Sequence, residues 1–139
     1  MKLVVNTLLG VEMQAIAEAT AFGERAGLDR GRMLDELAKT AVIAPAHQGK
    51  LLRASRHDYS SQFPLRRMRK DFRLILELAH EVQVPMPATM AASIVNRACD
   101  EFVELDFSYM MEEIRRRAGG DQSTRPGDVN DSQYPGHSR

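Results

Sequence analysis

The amino-acid sequence predicts an all-α protein, a single helical bundle that opens with a long helix. Apolar residues recur at spacings of three and four along most of the chain, and no stretch alternates apolar and polar residues for long enough to indicate a strand. Glycine and proline fall at the ends of these periodic segments. With 139 residues, 43% of them hydrophobic, the chain has the size and composition of one globular domain.

The first predicted helix spans residues 3–26. Its helical periodicity comes from an apolar series that consists of Leu3, Val4, Leu8, Val11, Ala15, Ala19 and Phe22. Many intervening residues are also apolar, so we expect this helix to be buried on more than one side. Gly27 ends it, and a second helix is predicted from Arg30 to about Ala41. The apolar stripe of the second helix is Met33, Leu34, Leu37 and Ala38.

Proline residues divide the remainder of the chain. Pro45 either breaks the helical pattern or begins a shorter element that continues through Leu52, and the polar residues 54–62 indicate a loop. Pro64 fits the first turn of a long helix that reaches Gln83. The inward-facing residues predicted for this long helix are Leu65, Met68, Phe72, Ile75, Leu76 and Ala79.

The last third of the chain predicts a stiff connector, two helices and a tail. The sequence VPMP at 84–87 separates the long helix from a helix over 88–104. Asp106 or Ser108 can cap a final helix that runs through Arg117. Residues 119–139 contain no Leu, Ile, Met or Phe, and we therefore expect a disordered tail after a helical domain of residues 1–118.

Composition argues against several classes of function. Lysine plus arginine equals aspartate plus glutamate at 19 each, so no net charge attracts nucleic acid or an anionic membrane. No apolar run approaches the length of about 20 residues that a membrane span needs, and we expect neither of these partners. The single cysteine, Cys99, suits a reducing compartment, which favours a cytoplasmic protein. His47, His57 and His80 show no metal-ligand spacing, so no metal site is predicted.

Two polar pairs are candidates for chemistry. Lys2 and Asn6 lie one turn apart in an apolar helical run, so their side chains share a face. Lys70 and Asp71 form a second pair in the long helix after Pro64. Each pair also has a simpler interpretation. The first pair could be a solvated helix start, and the second could be an exposed ion pair. The basic cluster Arg66, Arg67, Arg69, Lys70 and Arg73 is either a solvated helix face or a site for a phosphate, including the extra phosphate of NADP.

Five short motifs follow one another in a fixed order along the chain. They are K-x-x-x-N at 2–6, AEATAFGERAGLD at 17–29, F-x-x-x-x-M-x-K-D at 63–71, V-P-x-P at 84–87 and D-F-S at 106–108. This series resembles the β-hydroxyacid dehydrogenases, which include 3-hydroxyisobutyrate dehydrogenase and tartronate semialdehyde reductase. The resemblance covers residues 1 to about 118. It implies that the chain folds as a helical bundle like the C-terminal domain of enzymes similar to 6-phosphogluconate dehydrogenase.

The resemblance also implies roles for the two polar pairs. Lys2 matches the family's proton-transferring lysine, Asn6 its substrate-holding asparagine, and Lys70 the lysine that lines its cofactor cleft, with Asp71 in support. The chemistry agrees with these residue types. When a nicotinamide passes a hydride to a carbonyl, the oxygen must gain a proton, and a positioned ammonium supplies it while stabilising the developing charge.

The family's Rossmann domain, with its glycine-rich dinucleotide fingerprint, precedes this helical domain, whereas this sequence starts at Met1 and contains no G-x-G-x-x-G. We therefore expect one part of an NAD- or NADP-dependent oxidoreductase that acts on a small 3-hydroxyacid or semialdehyde. The chain would be a truncated fragment or one half of a split enzyme, inactive without a Rossmann domain or partner chain.

A stand-alone helical dimerisation or interaction module without catalysis is the alternative interpretation. In both cases the first helix, without a Rossmann neighbour, should expose apolar surface, and we expect a homodimer.

Overall fold

The structure, a computed structural model, describes residues 1–119, which form six α-helices and two short 3-10 turns and contain no strand. The helices are α1 (Lys2–Arg25), α2 (Arg30–Leu37), α3 (Pro45–Ala54), α4 (Leu65–Glu81), α5 (Pro87–Ala98) and α6 (Met110–Arg117). The turns are Asp100–Phe102 and Phe107–Tyr109. The all-α prediction is confirmed. The predicted disordered tail, except for Gly119, lies outside the described residues.

The long helix α1 packs against α4, α5 and α6, and α2 and α3 close one side of the bundle. The core is aliphatic and rich in methionine, and its fully buried residues include Met13, Leu34, Leu51, Leu65, Met68, Phe72, Phe107 and Met110. Burial of each such side chain contributes roughly 1.5–3 kcal/mol. No helix in the described range is both long and apolar enough to cross a lipid bilayer.

A glycine allows α1 and α4 to approach each other closely. A Cβ atom placed on Gly10 would lie 2.5 Å from two ring carbons of Phe72 and 3.0 Å from the sulfur of Met68. Both of those side chains are fully buried in the core. Gly10 is therefore the residue that lets the aromatic ring of α4 rest directly on the backbone of α1.

Most of the apolar series predicted for α1 does not face the core, although Leu3 packs against it. Val4, Leu8 and Phe22 are 62%, 68% and 77% exposed, and Ala15 and Ala19 are exposed as well. The buried face of α1 instead combines small, polar and apolar residues, namely Asn6, Gly10, Met13, Gln14, Ile16, Ala17, Thr20, Ala21 and Gly23. Both faces of this helix carry apolar residues, so spacing alone could not distinguish them. The expectation that α1 exposes apolar surface is confirmed.

α2 and α5 end several residues earlier than predicted, and α4 ends two residues earlier, at Glu81. α2 stops at Leu37 because the chain tightens into a turn, in which the backbone N–H of Thr40 donates to the Leu37 carbonyl at 2.9 Å and the Thr40 hydroxyl donates to the same oxygen at 2.8 Å. α5 stops at Ala98, where Arg69 of α4 donates to the Asn96 carbonyl at 3.1 Å. A side chain from another helix thus satisfies a carbonyl that a longer α5 would have used.

Asp106 caps the turn before α6, as one of the two predicted caps. One carboxylate oxygen accepts hydrogen bonds from the backbone N–H and the hydroxyl of Ser108. The other accepts from Lys50 at 2.7 Å and from the backbone N–H groups of Gln62 and Phe63 at 3.1 and 3.0 Å. Burial alone would raise the pKa of Asp106, but the hydrogen bonds from Lys50, Phe63 and Ser108 outweigh it and lower that pKa. Asp106 therefore joins α3, the start of α4 and the turn before α6.

Candidate functional site

The structure brings together one residue from each predicted polar pair. Asn6 of α1 donates a hydrogen bond from its Nδ2 atom to Oδ2 of Asp71 on α4 at 2.6 Å. Both side chains are buried, at 6% and 5% exposure. A hydrogen bond to a charged group is stronger than one between neutral groups, and its geometry holds the amide in one orientation. Asn6 is therefore fixed by its neighbour before any ligand binds.

The close approach at Gly10 positions this pair. Gly10 lies one turn after Asn6 on α1, and its partner Phe72 directly follows Asp71 on α4. Because the ring of Phe72 rests on the α1 backbone there without an intervening Cβ, the adjacent amide and carboxylate come within hydrogen-bonding distance. The site and the packing of the two helices thus depend on the same contact.

The two predicted lysines lie elsewhere on these helices. Lys2 begins α1 and is exposed, four residues before Asn6 and therefore on the same side of the helix. Lys70 is exposed and lines a groove between α4 and α5 of about 710 Å³. Neither lysine forms an ion pair or side-chain hydrogen bond within residues 1–119. The structure therefore joins Asn6 to Asp71 but leaves the two ammonium groups accessible.

A buried ionic cluster around Glu112 was not predicted from the sequence. Glu112 of α6 accepts a hydrogen bond from Arg30 of α2 at 2.8 Å and another from the hydroxyl of Tyr59. His57 lies 3.5 Å from the same carboxylate. Burial alone would raise the pKa of Glu112, but His57, Arg30 and Tyr59 outweigh it and lower that pKa to about 2. The cluster thus links α2, the loop after α3 and α6.

The remaining nucleophilic and metal-binding residue types do not form a site. Cys99 is a packed core side chain, and its burial raises the pKa of the thiol to about 12. His47 is completely buried, and burial lowers its pKa. In the part of the chain that the structure describes, no group of three or more His, Cys, Asp or Glu residues could hold a metal ion.

Comparison with known proteins identifies the domain. A family model described as "NAD-binding of NADP-dependent 3-hydroxyisobutyrate dehydrogenase" matches residues 1–114. The chain belongs to this dehydrogenase family. The fold of the chain agrees with this family. The structure of 3-hydroxyisobutyrate dehydrogenase from Salmonella typhimurium matches it with a TM-score of 0.73 at 23% identity. The match covers 80% of this chain and 40% of the Salmonella enzyme. The enzyme from Mycobacterium tuberculosis gives a TM-score of 0.71 at 22% identity, covering 82% of this chain and 42% of its own.

Curated relatives show how much of a family member this chain represents. Glyoxylate/succinic semialdehyde reductase 1 of Arabidopsis thaliana is 33% identical over 117 residues, which are 83% of this chain and 40% of the reductase. Cytokine-like nuclear factor N-PAC of Drosophila melanogaster is 30% identical over 106 residues, which are 76% of this chain and 17% of that protein. The chain thus spans well under half the length of the relatives that it matches.

Proposed function

We propose that this chain is the helical domain of an NAD- or NADP-dependent oxidoreductase, which transfers a hydride between the nicotinamide and a small 3-hydroxyacid or semialdehyde. The observation that carries this proposal is the buried hydrogen bond between Asn6 and Asp71. It pairs two residues at motif positions of the family and orients an amide on the same side of α1 as Lys2. The names of the matching family and of the Arabidopsis reductase support the class of reaction.

We propose that Lys2 transfers the proton. Its ammonium would protonate the oxygen that forms as the hydride arrives at the carbonyl carbon, and the neutral amine would accept the proton in the oxidative direction. Asn6 would hold the same substrate, with the amide hydrogen and carbonyl oxygen that Asp71 does not use. Asp71 would be a positioning residue, because its contact is with Asn6. Lys70 would contact the cofactor from α4.

We further propose that catalysis needs a Rossmann domain, either on the same polypeptide or on a separate chain. The matched region is 40% and 33% of the two Arabidopsis reductases, so each of them contains more than this domain. Lys2 and Lys70 are exposed on the described domain, as groups that meet a cofactor held by another domain would be. A cytoplasmic location is part of the same proposal and agrees with the single, reduced cysteine.

The second candidate function is association without catalysis. The apolar face of α1, formed by Val4, Leu8, Ala15, Ala19 and Phe22, is exposed along most of the helix. A continuous apolar surface of this kind favours a protein partner. We propose a second copy of this chain as that partner, because the same apolar face on two copies can pack against itself about a two-fold axis. The likeness to a protein named a nuclear factor also supports a role other than catalysis.

A reconstitution assay tests the oxidoreductase proposal. The part of the Arabidopsis reductase that precedes the matched region would be joined to Met1 of this chain, and nicotinamide oxidation would be followed with glyoxylate and succinic semialdehyde. We expect turnover, and the change Lys2→Ala should reduce it at least about a hundredfold, the scale of general acid–base catalysis. The matched control is Lys39→Ala, which removes an exposed lysine whose one carboxylate partner within residues 1–119 is Glu36. Equal turnover in both variants would refute the role of Lys2.

A further inference from the structure

His47 is a completely buried histidine in the first turn of α3, and the proposed hydride-transfer site does not use it. Neither of its ring nitrogens has a hydrogen-bond partner within residues 1–119. A carboxylate oxygen of Glu12 on α1 lies 3.5 Å from its Nε2 atom, and the ring of Phe107 packs edge-on against it at 5.9 Å. These surroundings suit a neutral imidazole better than an imidazolium, which carries a charge and two N–H groups that both need acceptors.

The charged groups around His47 do not reverse the effect of its burial. Burial lowers the pKa of His47 from its ordinary value of 6.5, and the positive charge of Lys50, one turn later on α3, acts in the same direction. Glu12, Asp106 and the backbone of Leu9 act in the opposite direction but do not outweigh burial. His47 is therefore neutral in the closed bundle at pH 7.

Glu12, the acid beside His47, also holds the start of α3. The helix begins after Ala44, whose side chain makes no capping hydrogen bond. Instead, the Oε1 atom of Glu12 accepts a hydrogen bond from the backbone N–H of Ala44 at 2.7 Å. A negative charge is also favourable at the positive end of the helix dipole. The first turn of α3 thus depends on a side chain of α1.

A proton on His47 would weaken the connections of α3. An imidazolium attracts the carboxylate of Glu12, and a shift of Glu12 toward the ring competes with its hydrogen bond to Ala44. The new charge would also repel the buried ammonium of Lys50, which is paired with Asp106 at 2.7 Å. Water solvates the imidazolium as soon as α3 opens, which removes the cost of burying the charge. Protonation therefore favours a state in which α3 has separated from α1.

We propose that His47 is an acid-sensitive switch, whose protonation releases α3 from the bundle. The switch is a property of the fold and does not rest on the proposed oxidoreductase function. The opened state binds the proton with an ordinary pKa of about 6.5, whereas the closed state has a lowered pKa. The closed state is therefore fully favoured above about pH 6.5 and loses stability as the pH falls below it. This window lies above those of Asp106 and Glu112, whose pKa values are lowered.

Amide hydrogen exchange of the full chain between pH 7 and pH 5 tests the release of α3. Each rate is divided by the intrinsic exchange rate at the same pH, which gives the protection of that amide. Between pH 6.5 and 5.5 we expect the protection of the α3 amides to fall severalfold, within the limit of about tenfold per pH unit for one bound proton. Amides around Met13, in the middle of α1, should keep their protection. Unchanged protection in α3, or an equal loss in both helices, would overturn the proposal.

The variant His47→Gln tests whether this residue causes the acid response. Glutamine is polar and of similar size but does not titrate, so the protection of α3 should stay constant between pH 6.5 and 5.5. The matched control is His80→Gln, which removes an exposed histidine of α4 and should retain the response of the unmodified chain. Both variants keep His57, so any response of His57 cancels from the comparison. An equal acid response in His47→Gln and the unmodified chain would refute the switch.

A measurement on the unmodified chain decides the matter even if His47→Gln does not fold. The imidazole resonances of His47 can be identified by their contact with the ring of Phe107 and followed by NMR during an acid titration. We expect a predominantly neutral ring at pH 6.5, which becomes protonated together with the loss of α3 protection. If the ring becomes protonated at or above its ordinary pKa of 6.5 while α3 stays protected, the closed bundle accommodates the charge and the proposal is wrong.

Discussion

The amide of Asn6 and the carboxylate of Asp71 meet at 2.6 Å in the interior, although the two residues are 65 positions apart in the sequence. Each lies on a helix that also carries a lysine of the proposed site. The contact thus connects the two motifs that resemble the dehydrogenase family. Its strength and its dependence on neighbouring packing can be measured without knowledge of the substrate.

Removing either partner should destabilise the domain. Asp71→Ala leaves the buried Asn6 amide without its acceptor, which costs about 1–3 kcal/mol in the free energy of unfolding. Asn6→Ala should cost a similar amount. In a double-mutant cycle followed by urea unfolding, we expect the two losses to be coupled by about 1 kcal/mol or more. Additive losses would show that the hydrogen bond does not join the helices.

Two glycine substitutions should have opposite effects on stability. Gly10→Ala places a methyl group 2.5 Å from the buried ring of Phe72, and overpacking of this kind costs about 1–3 kcal/mol. Gly49→Ala lies within α3, is exposed and meets no atom within 4 Å. There we expect a gain of about 0.5–1 kcal/mol from helix propensity. Thermal unfolding of both variants tests the close packing of α1 and α4. A Gly10→Ala variant as stable as the unmodified chain would contradict that packing.

Acid should destabilise the fold through Glu112. Its pKa in the folded chain, about 2, lies below the ordinary value of 4.5. The ionised carboxylate therefore stabilises the fold above about pH 4.5, and this contribution, on the order of 3 kcal/mol, is lost as the pH falls toward 2. Unfolding measured across this window should show stability decreasing with pH.

The variant Glu112→Gln cannot gain or lose this charge, so its stability should be lower at pH 7 and change less between pH 4.5 and 2. The control Glu77→Gln alters an exposed pair on α4 and should keep the acid dependence of the unmodified chain. If the stability of Glu112→Gln falls as steeply with pH as that of the unmodified chain, the acid sensitivity belongs to other carboxylates. Asp106 would be the first candidate, because its pKa is also lowered.

Charge on the outer face of α1 should prevent self-association. Leu8 is 68% exposed and Phe22 is 77% exposed, so Leu8→Glu and Phe22→Glu together should leave the fold intact. Sedimentation equilibrium should show a dimer for the unmodified chain and a monomer for the double variant. The control Val42→Glu changes a residue that is equally exposed but lies between α2 and α3, and it should remain dimeric. A monomeric unmodified chain would contradict the homodimer.

The sequence predicts best what depends on local chemistry. Gly27, Pro45 and Pro64 mark helix ends because their backbone preferences act within a few residues, and Asp106 caps a turn for the same reason. The early end of α5 was not predictable, because it involves Arg69 from another helix. Apolar residues surround α1, so their spacing does not show which face is buried. The fit of Gly10 against Phe72 decides that face.

The candidate site shows the same division. Asn6 and Asp71 could each be found from their motifs, but their hydrogen bond depends on how two helices pack. Glu112 precedes three consecutive arginines, a pattern typical of a solvated helix. Nothing local indicates that it binds Arg30, 82 positions earlier in the chain.

The contacts of Asp106 have a consequence for how the domain opens. A single carboxylate binds Lys50 on α3, the backbone just before α4 and Ser108 in the turn that leads into α6. If the turn before α6 separates from the bundle, the start of α4 loses its anchor in the same event. Amide protons in these distant segments should consequently exchange with solvent at a common rate, as one cooperative unit that includes the helix carrying Asp71.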